Sequence, residues 1–361
     1  MFYSLPTEVT LDILKFLSYD ELWSVNETNL YFRDFISKFE GELARQEFYK
    51  ISFERVDKFE EDPRRLIKLK TKNFDFPVNE QFEENWKHGQ EKLIPLYLPE
   101  QDSDNNIAIC LSQGGHAHLL ITFCVFSYKS LFFLSKCLLQ LPTIIKNKED
   151  IKIVYYYLDR LFNCSFEDCC FEEFIFNQEL LQLLFGNAKI PKQFYIQECQ
   201  LHIKDDNIEN LFQFTLNHLA SKFLTIRFFL DDVMGKYINI LFKIITSGGK
   251  NFEKIYMKFY NKSRMLTIAI NLSMLYESIV EYIATSRDCS KMVPDIILEY
   301  NNSPSLKLSK RAEKVEIKQL HEKSTKFQIT NIHNRKVRFS FHNEEWENFS
   351  TFDVKIEIKK E

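Results

Sequence analysis

Apolar positions along this chain follow three rhythms. In the first fifty residues they recur at helical spacing: Leu11 with Leu14, Ile13 with Leu17, then Leu22, Val25 and Phe32. Pro6, with its preset φ and missing donor, suits a first helical turn, and Glu8 places negative charge at the positive helix end. Ser18 and Glu21 have the spacing of a capping box that ends one helix and starts the next. The spacing therefore predicts two or three short helices in this segment.

Between about 149 and 303, helix-period runs alternate with β-type runs. The six-residue segments beginning at Leu180, Leu211 and Leu241 align without gaps, 31 and 30 residues apart. Each precedes a β-type run, at 193–199, 223–229 and 252–259. Looser copies flank them, helix 149–162 with strand 169–176 and helix 271–284 with strand 295–300. Helix-then-strand units that cannot bury their faces alone stack side by side, with parallel strands and right-handed crossovers. The expected fold class is α/β, an irregular arc similar to leucine-rich repeats with Phe and Ile at many Leu positions. One open α/β sheet with helices on both faces is the alternative. From 304 to 361 the rhythm becomes period two, at 315–318, 326–329, 337–341 and 354–358, which predicts half-buried strands forming a β-rich cap. Asn334-Arg335 sits in a tight turn between two of them.

The remaining stretches are less regular. Residues 49–100 read as transitional, with one short strand at 93–98, and the polar cluster 100–106 marks a boundary. Gly114-Gly115 predicts a turn between strands 107–111 and 119–126. Residues 119–141 are apolar enough to suggest a membrane span. Lys129 and Lys136 interrupt them, at a cost of about 2.5–3.5 kcal/mol for a central charge. A buried strand followed by a core helix over 130–141 is the better reading. The resulting division is 1–48, 49–100, 101–303 and 304–361.

Composition narrows the function classes. Of 361 residues, 45% are hydrophobic and 15% aromatic, with only 8 Gly and 9 Pro, so the chain has ample apolar surface for a large core and little linker. A net charge of −4 removes the global basic footprint of a nucleic-acid binder. Charge is uneven, however: residues 304–338 hold ten Lys or Arg against three acidic residues. Within that segment Lys307, Lys310, Arg311 and Lys314 form a candidate patch for an acidic partner, set against the plainer reading of solvated strand faces. The 8 Cys include no Cys-x-x-Cys pair, and the few residues before the first helix are too short for a signal peptide. Buried thiols in a reducing compartment, cytoplasm or nucleus, are expected.

The N-terminal pattern Leu5-Pro6-x-Glu8, then Ile13-Leu14-x-x-Leu17, then Asp20-x-Leu22, resembles the F-box. The likeness covers about residues 2–48. The segment 27–33 departs from the family's usual Cys-Lys-x-Trp region, and Phe39 or Phe48 stands where the late Trp would fall. The order of an F-box followed by an α/β region also resembles large nematode F-box families. The resemblance implies a three-helix module that docks on a Skp-type adaptor, and through it on a cullin. Leu5, Pro6, Ile13, Leu14, Leu17, Leu22 and Val25 would make the adaptor contact, with Glu8 capping the first helix. The rest of the chain would present a surface to a target protein.

No catalytic constellation competes with this reading. His116 and His118 follow the Gly pair without the Lys-Ser or Lys-Thr of a phosphate loop. Cys164, Cys169, Cys170 and Cys199 lack the paired spacing of a structural zinc site and read as core thiols. No catalytic residue, metal ligand or cofactor is assigned, and neither nucleic acid nor membrane is an expected partner. The rivals are an interaction scaffold not engaged with a ligase and an enzyme on an α/β fold.

Overall fold

The computed structural model describes residues 5–39, 42–55, 66–68, 94–98, 107–112, 136–171, 175–186, 192–203, 208–228, 234–260, 266–303, 307–319, 322–348 and 351–361. The chain is a mixed α/β protein divided into two compact units. The first contains residues 1–94, 105–167 and 180–195, and the second 95–104, 168–179 and 196–361. Expectations for Gly114-Gly115, His116, His118 and strand 119–126 lie outside the described residues.

In the first unit, helices α1 (Thr7–Leu14), α2 (Tyr19–Asn26) and α3 (Leu30–Lys38) precede strand β1 (Gln46–Arg55). The sheet order is β2 (Leu66–Lys68), β6 (Lys136–Gln140), β5 (Ile107–Ser112), β1. β5 runs antiparallel to β1 and to β6, whereas β2 and β6 are parallel. Residues 107–111 of β5 are all buried, the mark of a central strand covered on both faces. Helix α4 (Lys148–Phe162) starts at Asn147, whose side chain accepts from the backbone N–H groups of Glu149 and Asp150. Its Phe162 packs on Phe185, the last residue of α5 (Gln178–Phe185), and on Phe194 at 5.2 and 4.5 Å. The short strands β3 (Ile94–Pro95), β4 (Tyr97–Leu98), β7 (Ile144–Ile145) and β9 (Ile175–Phe176) stand outside the sheet order of either unit.

One expectation is overturned here. Residues 136–140, expected within a core helix, form a strand. Leu138 and Leu139 are both buried and pair with Cys110 and Ile109 of β5. A short continuous apolar run fits helix and strand alike, and the partner strand decides.

The second unit is built on the order β10 (Phe194–Ile203), β11 (Leu219–Phe228), β12 (Phe252–Phe259), β13 (Asp295–Ser303), β17 (Thr351–Lys360), β16 (Arg338–Asn348), β15 (Lys323–Thr330), β14 (Glu313–Gln319). Residues 168–171 of β8 (Cys164–Phe171) flank β10. β11, β12 and β13 are parallel. From β13 onwards every neighbour is antiparallel. Thus the tail strands extend the sheet from the edge of β13. Val337 N–H donates to Asn334 O at 2.8 Å, closing the turn expected between β15 and β16.

Helices α6 (Ile208–His218), α7 (Met234–Ser247) and α8 (Leu266–Thr285) cross between the parallel strands. Ring contacts place α6 and α8 on one face of this sheet: Phe214 on Phe171, Phe212 on Phe228 and Tyr276 on Phe341. Phe242 of α7 meets Tyr282 of α8 edge-on at 5.7 Å, which adds α7 to the same layer. Gly249, just after α7, donates its N–H to Lys291 O at 2.8 Å, and an added Cβ would come within 2.4 Å of Met292 O. Only glycine lets the two backbones approach so closely. The C-terminal end of α8 is closed by Asn331, which is 2% exposed. Its amide donates to Ile283 O and Ser286 O at 2.7 and 2.8 Å, satisfying carbonyls at the end of α8.

Candidate functional site

The three N-terminal helices form a module with its own core. Pro6 precedes α1 as N-cap without a side-chain cap bond, and Thr10 N–H donates to Pro6 O at 3.0 Å. Ser18 and Glu21 form the expected capping box: Ser18 N–H donates to Glu21 Oε2 at 2.8 Å, and Glu21 N–H donates to Ser18 Oγ at 3.4 Å. These bonds from Ser18 hold the Glu21 carboxyl below its ordinary range. Asn29 caps α3 by accepting from Phe32 N–H at 3.1 Å.

Leu11, Leu14, Leu22, Phe35 and Leu43 make the buried cluster, with Leu17, Val25, Tyr31, Ile36 and Phe39 packed against it. Phe39 stacks obliquely on Phe35 at 4.8 Å, so this aromatic completes the third helix's inner face. Phe48 instead sits on β1 and stacks on Phe166 at 5.8 Å. Lys15 Nζ meets Glu42 Oε2 at 3.0 Å, tying the end of α1 to the segment after α3. The module also meets the rest of its unit: Arg160 of α4 lies 6.0 Å from the Trp23 ring, and Arg45 donates to Phe162 O at 2.7 Å.

The residues expected to touch an adaptor separate by burial. Leu14 and Leu22 are 2% and 3% exposed, so their side chains serve the module's core. Leu5, Leu17 and Val25 are half-buried, while Pro6, Glu8 and Ile13 are exposed. A different set faces outward. Val9, Ile13 and Phe16 are 43%, 37% and 89% exposed, at i, i+4 and i+7. Helix α1 therefore has an inner stripe, Thr10–Leu11–Leu14, and an outer pair, Val9 and Ile13, which Phe16 continues in the turn just after the helix. Sequence reasoning missed Val9 and Phe16, although the same helical spacing joins them to Ile13. A contiguous apolar row open to water marks an interface.

The basic segment has a different character. Arg311 is held by Glu281 through two contacts of 2.9 Å, while Lys307, Lys310 and Lys314 are exposed, as are Lys318, Lys326, Arg335, Lys336 and Arg338 further along the segment. Nearby, the solvent face of the second unit's sheet is a lattice of alternating charge. Lys258 meets Glu299 at 2.6 Å, Lys254 meets Asp295 at 3.4 Å and Lys355 meets Glu357 at 2.8 Å. Tyr256 donates to Glu299. A hydrogen bond from Lys355 lowers the Glu357 pKa, and one to Glu299 raises that of Lys258. A depression of about 400 Å³ on this face is lined by charged and polar side chains including Glu316, Lys326, His342, Glu357 and Lys359. Glu357 is held ionised by its lysine partner, which is the arrangement of a structural ion pair.

Among the cysteines, burial and a hydrogen bond with Cys199 push the Cys169 thiol well up. Cys170 Sγ lies 3.9 Å from His202 Nε2. Among the described residues no three His, Cys, Asp or Glu side chains gather as a metal site, and no helix is long and apolar enough to cross a membrane.

Comparison with known proteins gives one family match. A model described as a domain of unknown function, DUF8381, matches residues 67–229, under half of the chain. No curated protein and no solved structure matches the chain. The matched span begins after the N-terminal module and ends at β11, so it covers neither the three helices nor strands β12 to β17.

Proposed function

We propose that this chain is the substrate-recognition subunit of a Skp–cullin–F-box type ubiquitin ligase, acting in the cytoplasm or nucleus. Its N-terminal module takes the F-box role and docks on a Skp-type adaptor. The observation that carries this reading is the outward row Val9–Ile13–Phe16, on α1 and the turn just after it, at the end of the chain that carries Leu5-Pro6-x-Glu8. A three-helix module with a filled core has no internal use for three more exposed apolar side chains on α1 and the turn that follows it, whereas an adaptor groove does. The receptor itself performs no chemistry. It holds a target protein near the ubiquitin-charged conjugating enzyme and raises the effective concentration of the reacting groups.

The finer fold belongs to the same reading. Parallel strands β11, β12 and β13, with their helices in one layer, support reading this region as a degenerate leucine-rich-repeat arc. Such an arc leaves one sheet face free to meet a target. The test is affinity purification of the tagged full chain from cells, with the associated proteins identified by mass spectrometry. Recovery of a Skp-type adaptor together with a cullin supports the reading. Recovery of neither, from a chain that is folded and abundant, refutes it.

A further inference from the structure

Among the described residues, strand β14 ends the second unit's sheet, with β15 as its neighbour on one side only. All seven of its residues, Glu313–Gln319, are exposed. Two of them are branched and apolar: Val315 is 39% exposed and Ile317 59%. Ile317 stands opposite Thr325, a buried residue on the helix-covered face, so β14 carries the core-side row out into water. On the other face, Glu316 stands opposite Lys326 and Lys318 opposite Ser324. An unpaired strand of this kind is a template for another strand.

We infer that β14 pairs antiparallel with β14 of a second copy of this chain, about a twofold axis at Ile317. In that register Ile317 meets its own counterpart and Val315 meets Gln319 of the second copy. Each Glu316 then stands opposite a Lys318, twice over, on the charged face. Neighbouring registers fail. An axis at Glu316 sets glutamate against glutamate and Lys314 against Lys318. An axis at Lys318 sets lysine against lysine. An axis at Val315 runs into the break between Glu313 and Glu316, where Lys314 has φ 51 and the regular ladder is lost. Like charges directly opposite each other are destabilising, so the strand's own charges and its bulge select one self-complementary pairing.

Charge exchange tests this directly. Glu316→Lys places two Lys–Lys pairs in the dimer, and Lys318→Glu places two Glu–Glu pairs. An equal mixture of the two variants restores two Lys–Glu pairs. All substituted positions are exposed, and circular dichroism checks that each variant folds. Sedimentation velocity of the full chain over about 1–100 µM spans the affinities expected of a small interface. The wild type is expected to dimerise reversibly. Each variant alone should weaken the dimer by about tenfold or more, and the mixture should recover it. A wild type that stays monomeric at about 100 µM overturns the inference and leaves this edge to a strand of a different polypeptide. A dimer indifferent to both substitutions overturns it equally.

Discussion

Ile13 and Leu14 are neighbours in sequence and opposite in role. Leu14 is almost wholly buried among Leu11, Leu22 and Phe35, while Ile13 lies in the outer row with Val9 and Phe16. Leu14→Ala should destabilise the module by about 2–5 kcal/mol through lost contacts and a cavity. Phe16→Ala, at a position open to solvent, should stay within about 0.5 kcal/mol. Amide hydrogen exchange across α1 to α3 separates the two outcomes, and equal loss of protection in both variants would refute the division of faces. Asn331 makes a comparable argument for a polar residue. Removing its amide strands the carbonyls of Ile283 and Ser286, at a cost of about 1–3 kcal/mol. Asn331→Ala should therefore speed exchange in the last turn of α8 and lower the thermal midpoint, and an unchanged midpoint would contradict the role given to it.

Elements were legible in the sequence where periodicity ran long enough to choose one structure. Strand 252–259 and helix 149–162 agree with the observed β12 and α4 to within a residue, because alternation or a wide apolar stripe persists through each. The capping box was readable from Ser18 and Glu21 alone, since it is a local device. The strand at 136–140 was not, because Lys-Cys-Leu-Leu-Gln is too short to display a period and its state depends on pairing with β5. The inner and outer faces of α1 were also hidden: both stripes have helical spacing, and only the packing of α2 and α3 decides which is covered. The charge lattice on the sheet face was invisible for the same reason, since cross-strand partners come from distant segments. That lattice carries its own prediction. Glu357 has a lowered pKa, so its contribution is present above the ordinary carboxylate range and is lost as pH falls through its own pKa. Lys258 and Lys355 have raised pKa values, so their contributions hold below the usual lysine range and fade as pH rises through theirs. The thermal midpoint should be flat near neutrality and fall on both the acid and the alkaline side. Glu357→Gln should blunt the acid limb; an unaltered acid limb would show that the lattice adds nothing.

At the scale of the whole molecule, the parts differ in how much of their role they disclose. The span 67–229 matches the model of a domain of unknown function, while the N-terminal helices and the β12–β17 region fall outside that match. The proposal rests most on the helices, a small module with its own core and an exposed apolar row. The sheet-bearing region discloses an architecture and names no partner, since surface side chains follow no period. The central claim is that α1 presents Val9, Ile13 and Phe16 to a Skp-type adaptor. Its most direct test is the affinity of the full chain for the purified adaptor, measured for the wild type, for Ile13→Asp with Phe16→Asp, and for Lys310→Glu as a surface control in the second unit. The account predicts a wild-type complex, an intact control, and a loss of about a hundredfold or more in the double variant while hydrogen exchange shows α1 to α3 still folded. An adaptor that binds the folded double variant as tightly as the wild type, or that binds none of the three, would contradict it.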